Sequence, residues 1–345
     1  GLSARATALS SQTGASGAPT TARQVLVSDT DRHVICLGAN TISTTAQDLL
    51  LVRWSDQENA VDWTPTVTNT AGSMRLSSGS EIITGTQTRQ ETLIWTDSSL
   101  YSMRFVGPPF TFAFNLLANN VSVLSPNLVV PVGDRVFWMD TENFFVYAGQ
   151  IQTIPCTILR YVFDDINLEE KLKFFGGSNR MFDEIFWFYC SSDSDDIDRY
   201  VKFNHAEGTW DIGSMSRTAW VDFGLFSKPR AAGTVSSTNY IYDHESGTTN
   251  DGTAMTSYIE SSVFDIGDGN QFAFIKKLIP DIDISSAAGN GVDYILKTRN
   301  YPGESLTTNS TSSVTSTTKQ ADVRARSRSA VLRIQSSADD ISWTL

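Results

Sequence analysis

Short runs of β-branched and aromatic residues, separated by turns rich in Gly, Asn, Asp and Ser, recur along most of the chain. Alternating apolar and polar positions over about four to eight residues are typical of strands. Three runs share a pattern in which a Trp stands two residues before an Asp, at Trp54–Asp56, Trp95–Asp97 and Trp138–Asp140. Successive tryptophans of this pattern are 41 and 43 residues apart. A strand-only repeat of about 40–50 residues has the length of one four-stranded propeller blade.

The repeat predicts an all-β fold, a β-propeller of about five to seven four-stranded blades with short inter-blade helices, over residues 23–345. Trp187 continues the repeat 49 residues after Trp138. A short helix is predicted after Asn167, which is a good N-cap and precedes two glutamates. Residues 1–22 are small and polar, so they predict an arm or linker. The Ser/Thr-rich insert 304–320 predicts a loop or β-arm that becomes ordered on a partner.

The composition excludes several classes of protein. The 38 acidic and 26 basic residues give a net charge of −12. A sequence-independent DNA binder needs Lys and Arg to displace counterions, so the chain as a whole is not one. Its three cysteines are widely spaced and lie in apolar runs, which favours buried thiols over a disulfide framework or a zinc site. The apolar runs are too short for a membrane-spanning helix.

The repeated Trp and Asp residues have a functional and a structural interpretation. Asp56, Asp97 and Asp140 could form a ring of catalytic carboxylates, but an Asp at the same place in successive blades is better explained as a turn residue. The tryptophans, including Trp187, could stack on sugars, but at repeated strand positions they more naturally fill the space between blades. The three histidines accompany no nucleophile motif. We therefore predict no enzyme activity, no catalytic residue, no metal and no cofactor.

Two charged segments are candidates for partner contacts. One is the acidic loop formed by Asp193, Asp195, Asp196 and Asp198, which lacks the spacing of a calcium-binding loop. The other comprises Arg324, Arg326 and Arg328, which alternate along a predicted strand and would share one face about 6.6–7 Å apart. Three interpretations of this line of guanidiniums remain open, namely an ion-pair ladder within or between subunits, simple solvation, and contact with nucleic-acid phosphate.

Nine stretches of the chain are similar to known sequences. They are VLVSDTDRHVICLGAN, LVRWSDQENAVDWTPTVTNTAGSMRLSSGSEII, QTRQETLIWTDSSLYSMRFVGPP, VFWMDTENFFVYAGQIQTIPCTI, RTAWVD, YIYDHESG, MTSYIESSVFDIGDGNQF, KKLIPDI and VRARSRSAVLRI. Together they resemble a family of structural proteins from tailed bacteriophages, from about residue 24 to the C-terminus. The block that runs from RWSDQEN to DWTPT is the most specific. Members of this family carry a longer N-terminal portion, so the resemblance implies a further blade upstream of Gly1.

The resemblance implies a tail component of a short-tailed phage, in particular its nozzle or hub. Such proteins are propellers in a six-fold ring below the portal and adaptor, so we expect a hexamer in the virion tail, assembled in the host cytoplasm. The ring would touch other tail proteins and let genomic DNA pass through its lumen without specific binding.

The alternative is a propeller at the phage tail that binds or cleaves glycan. Cleavage predicts two carboxylates about 5–10 Å apart in one pocket. Binding predicts exposed clusters of Trp or Tyr, so burial of the repeated tryptophans would count against it.

Overall fold

The structure is a computed structural model that describes residues 7–42, 44–235, 238–250, 252–265 and 269–345. The chain divides into two compact units, Gly1–Glu245 and Ser246–Leu345, called here the N-terminal and C-terminal units. Both consist of antiparallel strands, so the all-β prediction is confirmed. In the described ranges, no helix is both long and apolar enough to cross a membrane.

Four consecutive four-stranded meanders make up most of the N-terminal unit. Blade 1 contains β1 (Gln24–Val27), β2 (Val34–Leu37), β3 (Leu51–Trp54) and β4 (Gly72–Arg75). Blade 2 contains β5 (Ile82–Gln87), β6 (Thr92–Thr96), β7 (Ser99–Gly107) and β8 (Thr111–Asn119). Blade 3 contains β9 (Val129–Val132), β10 (Arg135–Met139), β11 (Phe144–Tyr147) and β12 (Ile151–Thr153). Blade 4 contains β13 (Phe175–Asn179), β14 (Glu184–Tyr189), β15 (Arg199–Asn204) and β16 (Thr209–Ser214).

Blade 5 is smaller and follows directly in the chain. Its described strands are β17 (Ala219–Val221), β18 (Arg230–Val235) and β19 (Thr238–Asp243).

The predicted inter-blade helix lies between blades 3 and 4 as a 3-10 helix, Leu168–Lys173. The Asn167 side chain caps this helix by accepting the N–H of Glu169 at 3.1 Å. It is preceded by α1 (Leu159–Phe163), and another 3-10 helix, Leu9–Ser11, lies near the N-terminus.

The blades surround a central cavity. The Gln24 side chain on β1 donates to the carbonyl of Gly85 on β5 at 2.9 Å and accepts its N–H at 2.6 Å. Asn127, just before β9, forms a parallel bridge to β13. The Trp220 indole on β17 donates to the carbonyl of Ser178 on β13 at 2.8 Å. Residues of all five blades line a cavity of about 400 Å³. This arrangement is a β-propeller, as the repeat predicts.

The strands that contain the repeated tryptophans, β3, β6, β10 and β14, are buried on both faces because neighbouring parts of the propeller cover them. In β14 every residue from Ile185 to Tyr189 is buried, so the strand is a continuous apolar run. One large core extends from blade 2 through blade 4, and a second joins blades 1 and 2. The stability of the ring therefore resides mainly in the contacts between sheets.

The C-terminal unit is a separate arrangement of strands. They are β20 (Thr249–Asn250), β21 (Thr253–Ala254), β22 (Ser257–Glu260), β23 (Phe264–Asp265), β24 (Ala273–Leu278), β25 (Asp283–Ser286), β26 (Val292–Arg299), β27 (Thr307–Val314), β28 (Ala321–Ser327), β29 (Ser329–Ser336) and β30 (Ile341–Thr344). In one sheet β29 pairs with β22, β23 and β26, and β26 also pairs with β27. The pairs β24–β28 and β25–β30 cover this sheet with a shared apolar core. The predicted propeller over 23–345 therefore gives way to a different β module after residue 245.

Both predicted arms belong to folded units. The insert 304–320 contributes β27, which pairs with β26 and buries Val314 in the core of the C-terminal unit. The described part of the N-terminal arm, residues 7–22, lies on blade 1, where Leu9 and Ala18 pack against the cluster around Trp63. The backbone of Ser16 also pairs with the segment before Trp63. These small, polar segments are therefore ordered by contacts with the rest of their own unit.

Candidate functional site

The repeated tryptophans are buried inside the propeller. Trp95, Trp138 and Trp187 are fully buried and Trp54 nearly so. Three indole N–H groups donate to backbone carbonyls: Trp54 to Thr70, Trp138 to Ser122 and Trp187 to Leu128. Trp95 instead packs edge-on against Trp138 of the next blade, with ring centroids 5.3 Å apart. These side chains fill the space between sheets and have no free face for a sugar.

The aspartates of the repeat hold the connections between strands. Asp56 accepts hydrogen bonds from the N–H and hydroxyl of Thr70 at 2.8 and 2.7 Å. Asp97 accepts the N–H and hydroxyl of Ser80 at 2.8 and 2.5 Å, in the segment leading into its own blade. Asp140 accepts the N–H of Thr141 at 2.7 Å and that of Ser122 at 3.3 Å. Each carboxylate is therefore an acceptor for a nearby loop, with no common pocket.

We expect these contacts to make the propeller acid-sensitive. Although burial by itself raises them, hydrogen bonds from Thr70 to Asp56 and from Ser80 to Asp97 leave both pKa values below the usual value. A carboxyl with a lowered folded pKa contributes stability that is complete above its unfolded pKa, about 3.9, and is lost as the pH falls through the folded pKa. Urea unfolding followed below about pH 4 should show this loss, and it should be smaller in Asp97→Asn.

The control for this measurement is Asp134→Asn, because Asp134 is exposed in the turn between β9 and β10. It should keep the acid sensitivity of the parent protein. An unchanged pH dependence in Asp97→Asn would show that its hydrogen bonds to Ser80 do not stabilise the folded state.

A second cavity, of about 330 Å³, lies beside blades 1 and 2 and contains the carboxylates of Asp31 and Glu91. The Glu91 side chain is only 8% exposed. It accepts hydrogen bonds from the Ser102 hydroxyl and, at 2.5 Å, from the Tyr147 hydroxyl of blade 3, and it lies 3.5 Å from Arg104. Burial and the bond to Glu91 raise the pKa of Tyr147 to about 12. Glu91 thus joins blades 2 and 3, whereas Asp31 accepts a hydrogen bond from the Ser28 hydroxyl at 3.2 Å within its own turn.

The buried cysteines and His33 pack in the core of the propeller. Cys36 and Cys190 are buried free thiols, and burial raises the pKa of each to about 11. His33 is buried against Phe105 and Phe112, and its ring nitrogen Nε2 lies 3.1 Å from the Thr70 hydroxyl. Among the residues that the structure describes, His, Cys, Asp and Glu nowhere form a group of three or more able to hold a metal ion.

The acidic loop between β14 and β15 is part of a larger acidic surface. Asp193, Asp195 and Asp196 are exposed, whereas Asp198 accepts the N–H and hydroxyl of Ser191, both at 2.8 Å. The loop contacts the preceding helices, because the Ser192 hydroxyl donates to Asp165 at 3.2 Å and Lys173 approaches Asp196 at 3.5 Å. We define the acidic patch as Asp164, Asp165, Glu169, Glu170, Asp193, Asp195, Asp196 and Asp198.

Arg324 and Arg326 share one face of β28, as the alternation predicts, whereas Arg328 directly follows the end of that strand. Val323, Ala325 and Ser327 point into the core, while Arg324 and Arg326 are exposed. Phe274 on β24 stands opposite Arg326 in the strand pair. We define the basic face as the three arginines with their neighbours Phe272, Phe274, Lys276 and Tyr301.

The arginines of the basic face lie against aromatic rings. The guanidinium carbons of Arg326 and Arg328 are 4.6 and 5.2 Å from the ring centroid of Phe272. Arg328 also lies 5.5 Å from the ring of Tyr301. The ion pairs of the described C-terminal unit join Glu260 to Lys297 and Arg333 instead. An ion-pair ladder within the chain is therefore not what the described residues form.

The aromatic partners of the arginines could not be found from local sequence. Phe272 and Tyr301 are far from β28 along the chain and reach it through β24 and the loop after β26. The acidic helices beside the Asp193–Asp198 loop were missed for the same reason, although the run Glu169–Glu170 is visible in the sequence.

Comparison with known proteins gives little further guidance. No protein-family model matches the chain, and no curated protein matches it. Among solved structures, Hsv2 of Kluyvelomyces marxianus is similar with a TM-score of 0.38 and 11% identity, over 67% of this chain and 62% of that one. The chain thus spans less than two thirds of that protein.

An exo-beta-1,3-galactanase of Phanerochaete chrysosporium with galactose has a TM-score of 0.32 and 10% identity, over 96% of both chains. Similarities this low carry no argument about function.

Proposed function

We propose that the chain is a structural component of a bacteriophage tail, the nozzle or hub ring that extends the DNA conduit. The observation that carries the proposal is that the residues best suited to chemistry have structural roles. The repeated tryptophans and aspartates serve packing and turns, and Glu91 joins two blades. What remains available for function is a rigid propeller and a β module with charged, exposed faces. The resemblance of the nine sequence stretches to tail proteins supports the same role.

The conduit of this proposal lies between copies of the chain. The propeller's own cavity, about 400 Å³, holds roughly a dozen water molecules at about 30 Å³ each, which is far too little for a DNA duplex. A ring of copies, six in the proposed assembly, would enclose a wider lumen. The net charge of −12 favours walls that repel the phosphate backbone and let DNA slide. The other tail proteins would bind the outer surfaces.

The proposal is tested by the mass and shape of the purified full chain, alone and with the adaptor and other tail proteins. Light scattering combined with electron microscopy should find rings of six copies with an open centre. A chain that stays monomeric at every concentration and with every tail protein would contradict the proposal.

The glycan alternative is tested separately with purified host polysaccharide. Cleavage or saturable binding that disappears in Asp31→Asn would support it, because Asp31 lines the second cavity beside Glu91. We expect neither, because a glycosidase needs two available carboxylates at the bond it cleaves, and Glu91 of this cavity is bonded to Ser102 and Tyr147. The repeated tryptophans are also buried.

A further inference from the structure

We propose that the basic face of one copy binds the acidic patch of a second copy. This inference rests on the proposed ring of copies and names the surfaces that join them. It starts from an imbalance of charge along the chain. Residues 1–245 carry 27 acidic and 17 basic side chains, whereas residues 246–345 carry 11 acidic and 9 basic. The negative charge is therefore concentrated in the N-terminal unit, and an aligned row of cations is presented by the C-terminal unit.

Each surface carries a net charge. Lys173 pairs with Glu170 and Asp196, and Arg199 lies 3.9 Å from Asp165 and 3.6 Å from Asp198, but the patch stays negative. The two segments that build the acidic patch, 158–173 and 191–199, contain eight carboxylates and four cationic side chains. On the basic face, Arg324, Arg326 and Lys276 are exposed. Ionic screening at physiological salt acts over about 8 Å, so opposite charges on two copies attract strongly only when the surfaces come into contact. Contact also removes water, which strengthens each ion pair.

Both surfaces also expose apolar side chains. On the basic face, Phe272, Phe274 and Tyr301 are between 45% and 62% exposed. Beside the acidic patch, Tyr161, Leu168 and Leu172 on the two short helices are between 48% and 72% exposed. Arg and aromatic residues are enriched where protein surfaces bind one another, and they supply most of the binding energy. The two surfaces are thus opposite in charge, and both offer apolar side chains to a partner.

The stacking of the arginines favours binding over simple solvation. Phe272 lies under both Arg326 and Arg328, which restricts the rotamers of these long side chains before any partner arrives. Less conformational entropy is then lost when the guanidiniums bind carboxylates. Nucleic acid is a poorer occupant, because a chain with a net charge of −12 repels a phosphate backbone at long range.

The two surfaces are different parts of the chain, so their contact is heterologous. Each copy would offer its basic face to one neighbour and its acidic patch to the other. Repetition of such a contact closes a ring when the rotation between copies divides a full turn, and otherwise forms an open filament. This is the type of contact that a ring of identical subunits requires.

The test is a charge exchange in the full chain, with self-association measured by sedimentation velocity at low and at physiological salt. Arg324→Glu with Arg326→Glu should weaken self-association at least tenfold, because like charges then face each other. Asp195→Lys with Asp196→Lys should weaken it similarly. The variant carrying all four substitutions restores opposite charges and should regain most of the affinity. The matched control is Arg75→Glu with Arg89→Glu, which makes the same change in charge on exposed residues of blades 1 and 2 and should associate like the parent.

Circular dichroism and thermal unfolding identify any variant that fails to fold. Three outcomes would overturn the inference while leaving the ring intact. The Arg variant could associate like the parent, the four-substitution variant could remain as weak as either pair, or the control could lose as much affinity as the Arg variant. Binding of a labelled single-stranded oligonucleotide that disappears in the Arg variant would reassign the basic face to nucleic acid. A parent chain that never self-associates would refute the ring itself.

Discussion

Replacing Trp187 with Ala is expected to lower the free energy of unfolding of the N-terminal unit by about 3–5 kcal/mol. The indole is fully buried in the middle strand of blade 4. Its ring centroid lies 4.9 Å from that of Phe144 in blade 3 and 6.1 Å from that of Trp210. The substitution therefore loses burial, opens a cavity between two sheets and leaves the Leu128 carbonyl without its donor at 3.1 Å.

Urea unfolding followed by circular dichroism measures this loss. Trp187→Phe should cost less than Trp187→Ala because a ring still fills part of the space. The control is Phe110→Ala, which removes an aromatic ring that is 78% exposed and should change stability by no more than about 0.5 kcal/mol. Equal effects of Trp187→Ala and Phe110→Ala would mean that the interface between blades 3 and 4 does not hold the ring together.

Replacing Arg53 with Met is expected to cost about 2–4 kcal/mol and to release the N-terminal segment, residues 7–22, from blade 1. Arg53 is buried in β3. Its Nη1 donates to the Asn40 carbonyl at 3.0 Å, and its Nη2 donates to the Gly17 carbonyl of the segment. The guanidinium also lies 5.9 Å from the ring of Trp63. Met fills much of the volume but leaves two carbonyls without a donor.

Hydrogen exchange resolves the two parts of this prediction. In Arg53→Met, amides of residues 7–22 should exchange faster than in the parent, whereas those of blade 4 should change little. Arg32→Met is the control, because Arg32 is 66% exposed and its ion pair with Glu58 contributes about 1 kcal/mol or less. Unchanged exchange in residues 7–22 would show that packing around Trp63 is sufficient to hold the segment.

Blades 1 to 4 could be predicted because each buries both faces of a strand that contains a Trp. In blades 1 to 3 a turn Asp also follows the Trp two residues later, so the signal lies within a short stretch of sequence. In blade 2, for example, all four strands lie within residues 82–119, around Trp95 and Asp97. Local sequence contains this information because every blade is formed by consecutive strands.

Segments whose order depends on residues distant in sequence could not be predicted in this way. Residues 7–22 contain few large apolar side chains, and their order comes from Arg53 and Trp63 elsewhere in the chain. Within residues 304–320, Thr307–Val314 forms β27 because Thr suits a strand and Val314 supplies the buried side chain. The C-terminal unit pairs strands distant in sequence, such as β22 with β29, so a repeat-based prediction cannot distinguish it from further blades.

For the candidate surfaces as well, local sequence predicted some features, and others depend on tertiary contacts. Alternation along β28 correctly placed Arg324 and Arg326 on one exposed face. It could not show that Phe272 lies beneath the guanidiniums, because that contact depends on the pairing of β24 with β28. The acidic loop was visible as a run of aspartates, but its extension into the neighbouring helices depends on the tertiary contact between Ser192 and Asp165.

Each sheet of the propeller uses one uninterrupted stretch of chain, so in the described residues no β-ladder joins one blade to another. Separation of two neighbouring blades therefore breaks side-chain contacts and single hydrogen bonds but no strand pairing. An applied load would open the interfaces between blades before any sheet came apart.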